Sequence, residues 1–286
     1  MKKKHIGFLH PGAMGISLAA TAQNTGHAAY WASEDRSPDT YDRAAKHNLV
    51  ETRTIKELCD RCSVIISVCP PHAATEVAEK VLKCAFKGIY ADVNAISPQR
   101  VKGIGQLMND AGVEFVDGGL IGGPAWKPDN TWLYLSGRNA DQVAECFAGG
   151  PLAVEIIGNE VGKASALKMC YAANTKGTTA LICAIVAAAE KMGVRNELEK
   201  QWSRHDSEFV HNTLERISRV TTKAWRFSGE MEEIASTFEA AGLPGDFHLA
   251  AFDIYQRIAK FKGADQTPPV EDVLDALLHP DQSQER

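Results

Sequence analysis

The sequence is short of charge bias, of paired cysteines and of long apolar runs, and each shortage excludes something. Its 286 residues carry 31 lysines and arginines against 36 aspartates and glutamates, a formal charge of -5. A general polyanion binder shows a basic stripe. Here the only basic run is MKKK at the start, so nucleic acid is not an expected partner. The longest apolar run, roughly Thr178 to Ala189, falls short of the roughly 20 residues that span a bilayer. MKKK is soon followed by a proline and two glycines rather than by an apolar signal core. The expectation is a soluble cytoplasmic protein without a membrane partner. Seven scattered cysteines, an odd number, read as reduced thiols rather than a disulfide framework. Cys59 and Cys62 make one C-x-x-C with no second Cys or His pair at comparable spacing, so no metal site is expected.

What is present is a chain of two halves. A composition 44% hydrophobic over this length supports two domains. The first half alternates apolar runs with helical patterns, the signature of a parallel sheet with crossover helices. Strands are predicted at HIGFLH, AAYWAS, VIISVCP, GIYADV, VEFVDG, TWLYLSG and AVEIIG. Gly26 and Gly112 fit as helix terminators. After Gly158 no strand pattern returns, and the stretch from Val161 to Val194 reads as one long helix, apolar on almost every side and therefore buried all round. The fold class is an α/β N-terminal Rossmann-type doubly wound sheet, residues 1–160, followed by an all-α C-terminal domain, residues 161–286, built on that helix. A helix so apolar asks for cover from a second subunit, so a homodimer is expected.

The stretch HIGFLHPGAMG runs a strand into a turn and a helix. In a dinucleotide turn one glycine lets the backbone approach the pyrophosphate and the next lets the helix pack close to the strand. Gly12 and Gly15 fit these roles, with Ala13 and Met14 between them at the helix start, where free amides favour phosphate. His10 stands where the first glycine of such a loop is expected. The following strand ends in two opposed signals: Glu34 or Asp35 suits the ribose hydroxyls of NAD, whereas Ser33, Arg36 and Ser37 suit the 2′-phosphate of NADP. NADP is the preferred cofactor, NAD the alternative.

Five motifs, IGFLHPGAMG, SVCPP, ADVNAISP, VDGGLIGGP and the Gly162 to Lys168 segment, occur in the order and spacing of the beta-hydroxyacid dehydrogenases. The chain resembles this group, which includes 3-hydroxyisobutyrate dehydrogenases, tartronate semialdehyde reductases and 6-phosphogluconate dehydrogenases, with imine reductases as relatives. The resemblance implies that Cys69 and Pro70 lie against the nicotinamide ribose and that Asn94 bonds cofactor or substrate. It also implies that the backbone of Gly122 and Gly123 cradles the substrate. Ile121 replaces the serine that grips a carboxylate in the family, which suggests a more apolar substrate.

Lys168, in ASALKMCYAAN, is the expected general acid and base. Burial of an ammonium lowers its pKa toward the range that proton transfer needs, and the resemblance places the family's catalytic lysine here. The family's asparagine four positions on is Ala172, so Tyr171 is the expected polar substitute. His248 is an expected substrate contact. The functional expectation is an NAD(P)-dependent oxidoreductase acting on a carbonyl or hydroxyl of a small metabolite. An imine reductase and an idle NADP-binding sensor are the alternatives.

Overall fold

The computed structural model describes residues 3–204 and 206–280. It divides into two compact units, Met1–Met169 and Cys170–Arg286. The division falls inside a helix, after Met169, rather than after residue 160.

The first unit is built on one sheet of eight strands among the described residues: β1 (His5–Phe8), β2 (Ala28–Ala32), β3 (Val50–Thr52), β4 (Val64–Ser67), β5 (Ile89–Asp92), β6 (Glu114–Gly122), β7 (Thr131–Ser136) and β8 (Ala153–Ile156). Its helices are α1 (Ala13–Asn24), α2 (Pro38–Lys46), α3 (Ile55–Arg61), α4 (Ala74–Lys83), α5 (Pro98–Asp110), α6 (Ala140–Ala144) and the start of α7 (Lys163–Ala172). The strand order is β3-β2-β1-β4-β5-β6-β7-β8. The chain winds outward from β1 in one direction, then returns to lay β4 on the other side of β1. That reversal makes the carboxyl ends of β1 and β4 the switch point where such sheets hold ligands.

Both faces of the sheet are covered, which is why its strands are apolar throughout rather than alternating. Trp31, Val64, Ile66 and Ala91 pack into one buried cluster, while their strand neighbours Tyr30, Ile65 and Tyr90 pack into another. Seven predicted strands are present. The three-residue β3 was not predicted, and the sheet is not purely parallel, since β6 and β7 pair antiparallel from Asp117–Ser136 to Gly122–Thr131. The glycine-rich stretch expected as a substrate loop is thus mostly strand. Glycines at 118 and 119 stay in the ladder because their missing side chains leave room for neighbours on both faces.

The second unit is helical among its described residues: a π-turn over Ala173–Gly177, then α8 (Thr178–Lys191), α9 (Arg195–Ser203), α10 (Phe209–Ala240), α11 (Asp246–Arg257) and α12 (Val270–Leu278). Its core is made by Cys183 and Val186 of α8, Ile217, Met231 and Ile234 of α10, Tyr255 of α11, and Val273 and Leu277 of α12. The predicted single α-helix is therefore interrupted by one wide turn. Such a turn frees backbone carbonyls, and this one is held by side chains. Arg216 donates to the Thr175 carbonyl at 2.8 Å and to the Thr179 hydroxyl at 2.7 Å. Tyr255 donates to the Lys176 carbonyl at 2.7 Å, and Lys176 pairs with Glu230.

The helical run Lys163–Lys191 is long and apolar enough, by length and composition, to cross a membrane. It is not buried all round: Leu181 is 60% exposed and Tyr171 45%. An apolar sequence covers every face of a helix, whereas the elements packed on it here cover only some of them.

Candidate active site

The dinucleotide turn follows β1. Helix α1 has Gly12 at its N-cap and no side-chain cap, so its first amides face the switch point open to a ligand. The two glycines differ in what surrounds them. A Cβ on Gly12 would meet nothing within 4 Å, whereas one on Gly15 would stand 2.3 Å from the His10 carbonyl oxygen. Gly15 is thus fixed by packing, whereas Gly12 borders open space. Ala13 is exposed and Met14 half-buried against the core.

His10 sits beside this turn with its Nδ1 buried and without a hydrogen-bond partner, as is Nε of Arg36. Burial, with the nearby charges of Arg36 and Lys80, holds the His10 imidazolium down to about 4. At the end of β2 the two opposed signals separate. Glu34 Oε1 accepts from the Ile55 amide at 2.7 Å, at the start of α3. Asp35 is exposed and bent into a left-handed turn at φ 58. Ser33 is buried, and Ser37 is exposed with its hydroxyl 3.1 Å from that of Thr40. Of the two carboxylates expected to meet ribose hydroxyls, Glu34 is therefore bonded to protein backbone and Asp35 is exposed.

At the ends of β4 and β5 the predicted residues meet directly. The Cys69 amide donates to Asn94 Oδ1 at 2.6 Å, and Asn94 Nδ2 donates to the Ser67 hydroxyl at 3.2 Å. Asn94 is buried, so its side chain positions the Cys69-Pro70 corner rather than standing free for a ligand. Burial pushes the Cys69 thiol up to about 12. Pro70 is exposed. Beneath them Asp92 accepts from the Asn94 amide at 3.0 Å through one oxygen, while its other oxygen is buried and unpartnered. Burial pushes this carboxyl up to about 7, with Asp117 adding to the shift against the Asn94 amide bond.

Asp117 is the feature that the sequence reading missed. Its Oδ2 accepts from the amides of Gly162, Ala164 and Ser165 and from the Ser136 hydroxyl, and its Oδ1 from the Ser165 hydroxyl at 2.6 Å. A carboxylate at a helix N-terminus meets both the free amides and the positive end of the dipole, so Asp117 anchors α7 to β6. Ser165 is thereby a structural residue. The available signal was an aspartate ending an apolar strand run ahead of two glycines, a buried acid that needs donors.

Lys168 lies on the anchored turn of α7. It is half-buried, less than its sequence neighbours suggest, and its Cβ lies close to Gly119. A Cβ built on Gly119 would come 3.1 Å from Lys168 Cβ and 2.6 Å from the Ala164 carbonyl oxygen. Gly119 is thus what lets the helix lie on the strand. At the end of β6, Gly122 adopts φ 114, and the Gly123 carbonyl accepts from the Thr131 hydroxyl at 2.6 Å. Ile121 is buried.

The remaining predicted residues belong to the second unit. Tyr171 is exposed. His248 on α11 is buried, its ring packed edge-on to Phe238 at 4.6 Å, with Nδ1 unpartnered. It lines a mainly apolar cavity of about 520 Å³ with Gly177, Leu181 and Phe247. Among the described residues no group of three or more His, Cys, Asp or Glu side chains is placed to hold a metal, and Cys59 and Cys62 are buried free thiols.

This architecture, an uncapped glycine turn at the switch point of a doubly wound sheet followed by a helical unit, defines a dinucleotide-binding fold. The residue matches agree. Residues 5–146 match the model of the NAD binding domain of 6-phosphogluconate dehydrogenase, and residues 189–258 match a domain of unknown function. An uncharacterized 28.5 kDa protein of Methanothermus fervidus is 34% identical over 165 residues, which cover 57% of this chain and 62% of that protein. A conserved protein of unknown function, described as structurally similar to 3-hydroxyacid dehydrogenases, superposes with TM-score 0.66 at 26% identity over 89% of this chain and 97% of its own. The 3-hydroxyisobutyrate dehydrogenase of Mycobacterium tuberculosis has the same fold, with TM-score 0.69 at 20% identity over 96% and 99%.

Proposed function

We propose that the protein is an NAD(P)-dependent oxidoreductase that moves hydride between nicotinamide and a carbonyl or hydroxyl carbon of a small metabolite. Lys168 is its general acid and base. The carrying observation is the Asp117 anchor, which fixes the Lys168 turn of α7 to β6 within the same unit that holds the glycine turn. A proton donor is effective only when its position is fixed relative to the reacting bond.

The dinucleotide fits what surrounds the turn: space at Gly12, the uncapped start of α1, and the unpartnered buried nitrogens of His10 and Arg36 beside it. When bound, it would supply the hydride. The chain's part is to seat the diphosphate on the amides that follow Gly12 and to hold the Cys69-Pro70 corner through Asn94. Lys168 gives a proton to the substrate oxygen in reduction and removes it in oxidation. Commitment of Glu34 to Ile55 favours NADP over NAD. Tyr171, three residues along the helix from Lys168, is its proposed polar companion. Gly122 and Gly123 are the proposed backbone cradle, and His248 a proposed substrate contact.

The test is a panel of semialdehydes, ketones, secondary alcohols and imines with NADPH and NADH, run on wild type and Lys168→Ala. Turnover of a carbonyl or alcohol that falls about 10²–10⁴-fold in the variant supports the reading. Unchanged turnover would sink the lysine assignment, and turnover of imines alone would move the reaction class.

We also propose a homodimer. Leu181, Ile185, Met192 and Phe247 are exposed apolar side chains of the helical unit, and a sizeable exposed apolar surface marks an interaction site. Sedimentation showing a monomer at micromolar concentration would contradict it.

A further inference from the structure

Two buried polar atoms beside the dinucleotide turn, His10 Nδ1 and Arg36 Nε, lack partners. They come from neighbouring strand ends. β1 and β2 pair in parallel with Phe8 opposite Trp31, so the chain leaves the sheet with His10 alongside Ser33, and Arg36 follows in the next turn.

The charges acting on His10 are cationic, although each cation has an acid near it. Arg36 stands on the turn after β2, and Lys80 on α4, 2.8 Å from Glu76. Arg43 on α2 donates to the Pro11 carbonyl at 3.2 Å. Of the acids acting on Arg36, Asp35 is exposed and Glu34 is bonded to the Ile55 amide. A buried polar atom left without a partner costs about 1–3 kcal/mol, and a guanidinium donor together with an imidazole nitrogen that is a donor once the ring is protonated describes a place for an anion. A phosphomonoester dianion there would give both groups an acceptor and would favour the imidazolium against the burial and the lesser charges of Arg36 and Lys80 that keep the ring neutral. Protonation turns both ring nitrogens into donors.

We propose that His10 is a cofactor-specificity residue: it takes up a proton from solvent as an adenosine 2′-phosphate binds, and imidazolium and Arg36 guanidinium then hold that phosphate together. The proposal rests on the dinucleotide reading above. It gives a purpose to the departure from glycine at this position.

The experiment is calorimetric titration of the full chain with adenosine 2′,5′-bisphosphate and with ADP. It is run near about pH 7.5, where a phosphomonoester is already a dianion, in two buffers of different ionisation enthalpy. The bisphosphate should bind at least about tenfold tighter than ADP and take up a large fraction of a proton, while ADP takes up none. His10→Gln keeps size and a donor but cannot titrate. It should lose the uptake and most of the preference while leaving ADP affinity unchanged, and His10→Asn should behave alike. Equal affinity for the two nucleotides, or uptake undiminished in both variants, would overturn the proposal while leaving the dinucleotide reading intact. Binding of neither nucleotide would overturn both.

Discussion

Two helices begin beside the same sheet with opposite chemistry at their starts. Helix α1 opens at Gly12 with no side chain on its first amides. Helix α7 opens with its amides saturated by Asp117. A free helix N-terminus is a ready anion site; one closed by its own protein's carboxylate is a fastening. The difference separates a helix start that is open to a ligand from one that is closed by the protein itself.

Opening the fastening should have the largest effect. Asp117→Ala removes the acceptor of three amides and two hydroxyls, of which the Ala164 amide keeps a second acceptor, the Ser136 hydroxyl, and should destabilise the first unit by about 3–5 kcal/mol. Urea unfolding should show this as a lower midpoint, with turnover lost. Next comes Gly119→Ala, whose methyl meets the Ala164 carbonyl at 2.6 Å. It should cost about 1–3 kcal/mol by overpacking, and should lower turnover more than dinucleotide affinity because α7 must shift.

The open helix responds differently. Gly12→Ala adds a methyl into empty space, so stability should stay within about 0.5 kcal/mol while dinucleotide affinity falls at least about tenfold. Gly15→Ala, facing the His10 carbonyl at 2.3 Å, should lose both. Equal behaviour of the two variants would erase the distinction between ligand space and packing space at this turn.

The pH dependence carries effects of the whole unit rather than of one helix start, and two groups pull in opposite directions. Asp92 has its carboxyl raised from 3.8 to about 7, so its contribution is fully present below the unfolded value and is lost as pH rises through about 7. His10 is depressed from 6.5 to about 4, so its contribution is present above 6.5 and is lost as pH falls toward 4. Asp92→Asn should therefore leave a first unit that weakens toward acid, and His10→Gln one that weakens toward neutral pH. Thermal melts across that window check both slopes.

What was legible in the sequence was what local pattern carries. Apolar runs spaced by helical periodicity placed seven strands, and the glycine turn at Gly12 and Gly15 could be named from its spacing, while Lys168 was named from the resemblance rather than from its helix. β3 was missed because three residues make no period. The antiparallel β6–β7 pair was missed because glycines at 118 and 119 look like loop until a helix is seen lying on them. Asp117 escaped because its donors come from 19 to 48 residues away, and no window of sequence joins them. The π-turn at 173–177 was invisible for the same reason: Arg216 and Tyr255, which hold it, lie on other helices. Asn94 was named for a ligand, and its bond to Cys69 could not be read, since sequence cannot tell a buried amide from an available one.

The central claim is that the first unit receives a nicotinamide dinucleotide at the open start of α1. The most direct measurement is fluorescence titration of NADPH and NADH into wild type, Lys168→Ala and Gly12→Ala. The account predicts saturable binding with NADPH the tighter, unchanged affinity in Lys168→Ala, and a clear loss in Gly12→Ala. Absence of saturable binding of either dinucleotide to the wild type, or full affinity in Gly12→Ala, would contradict it.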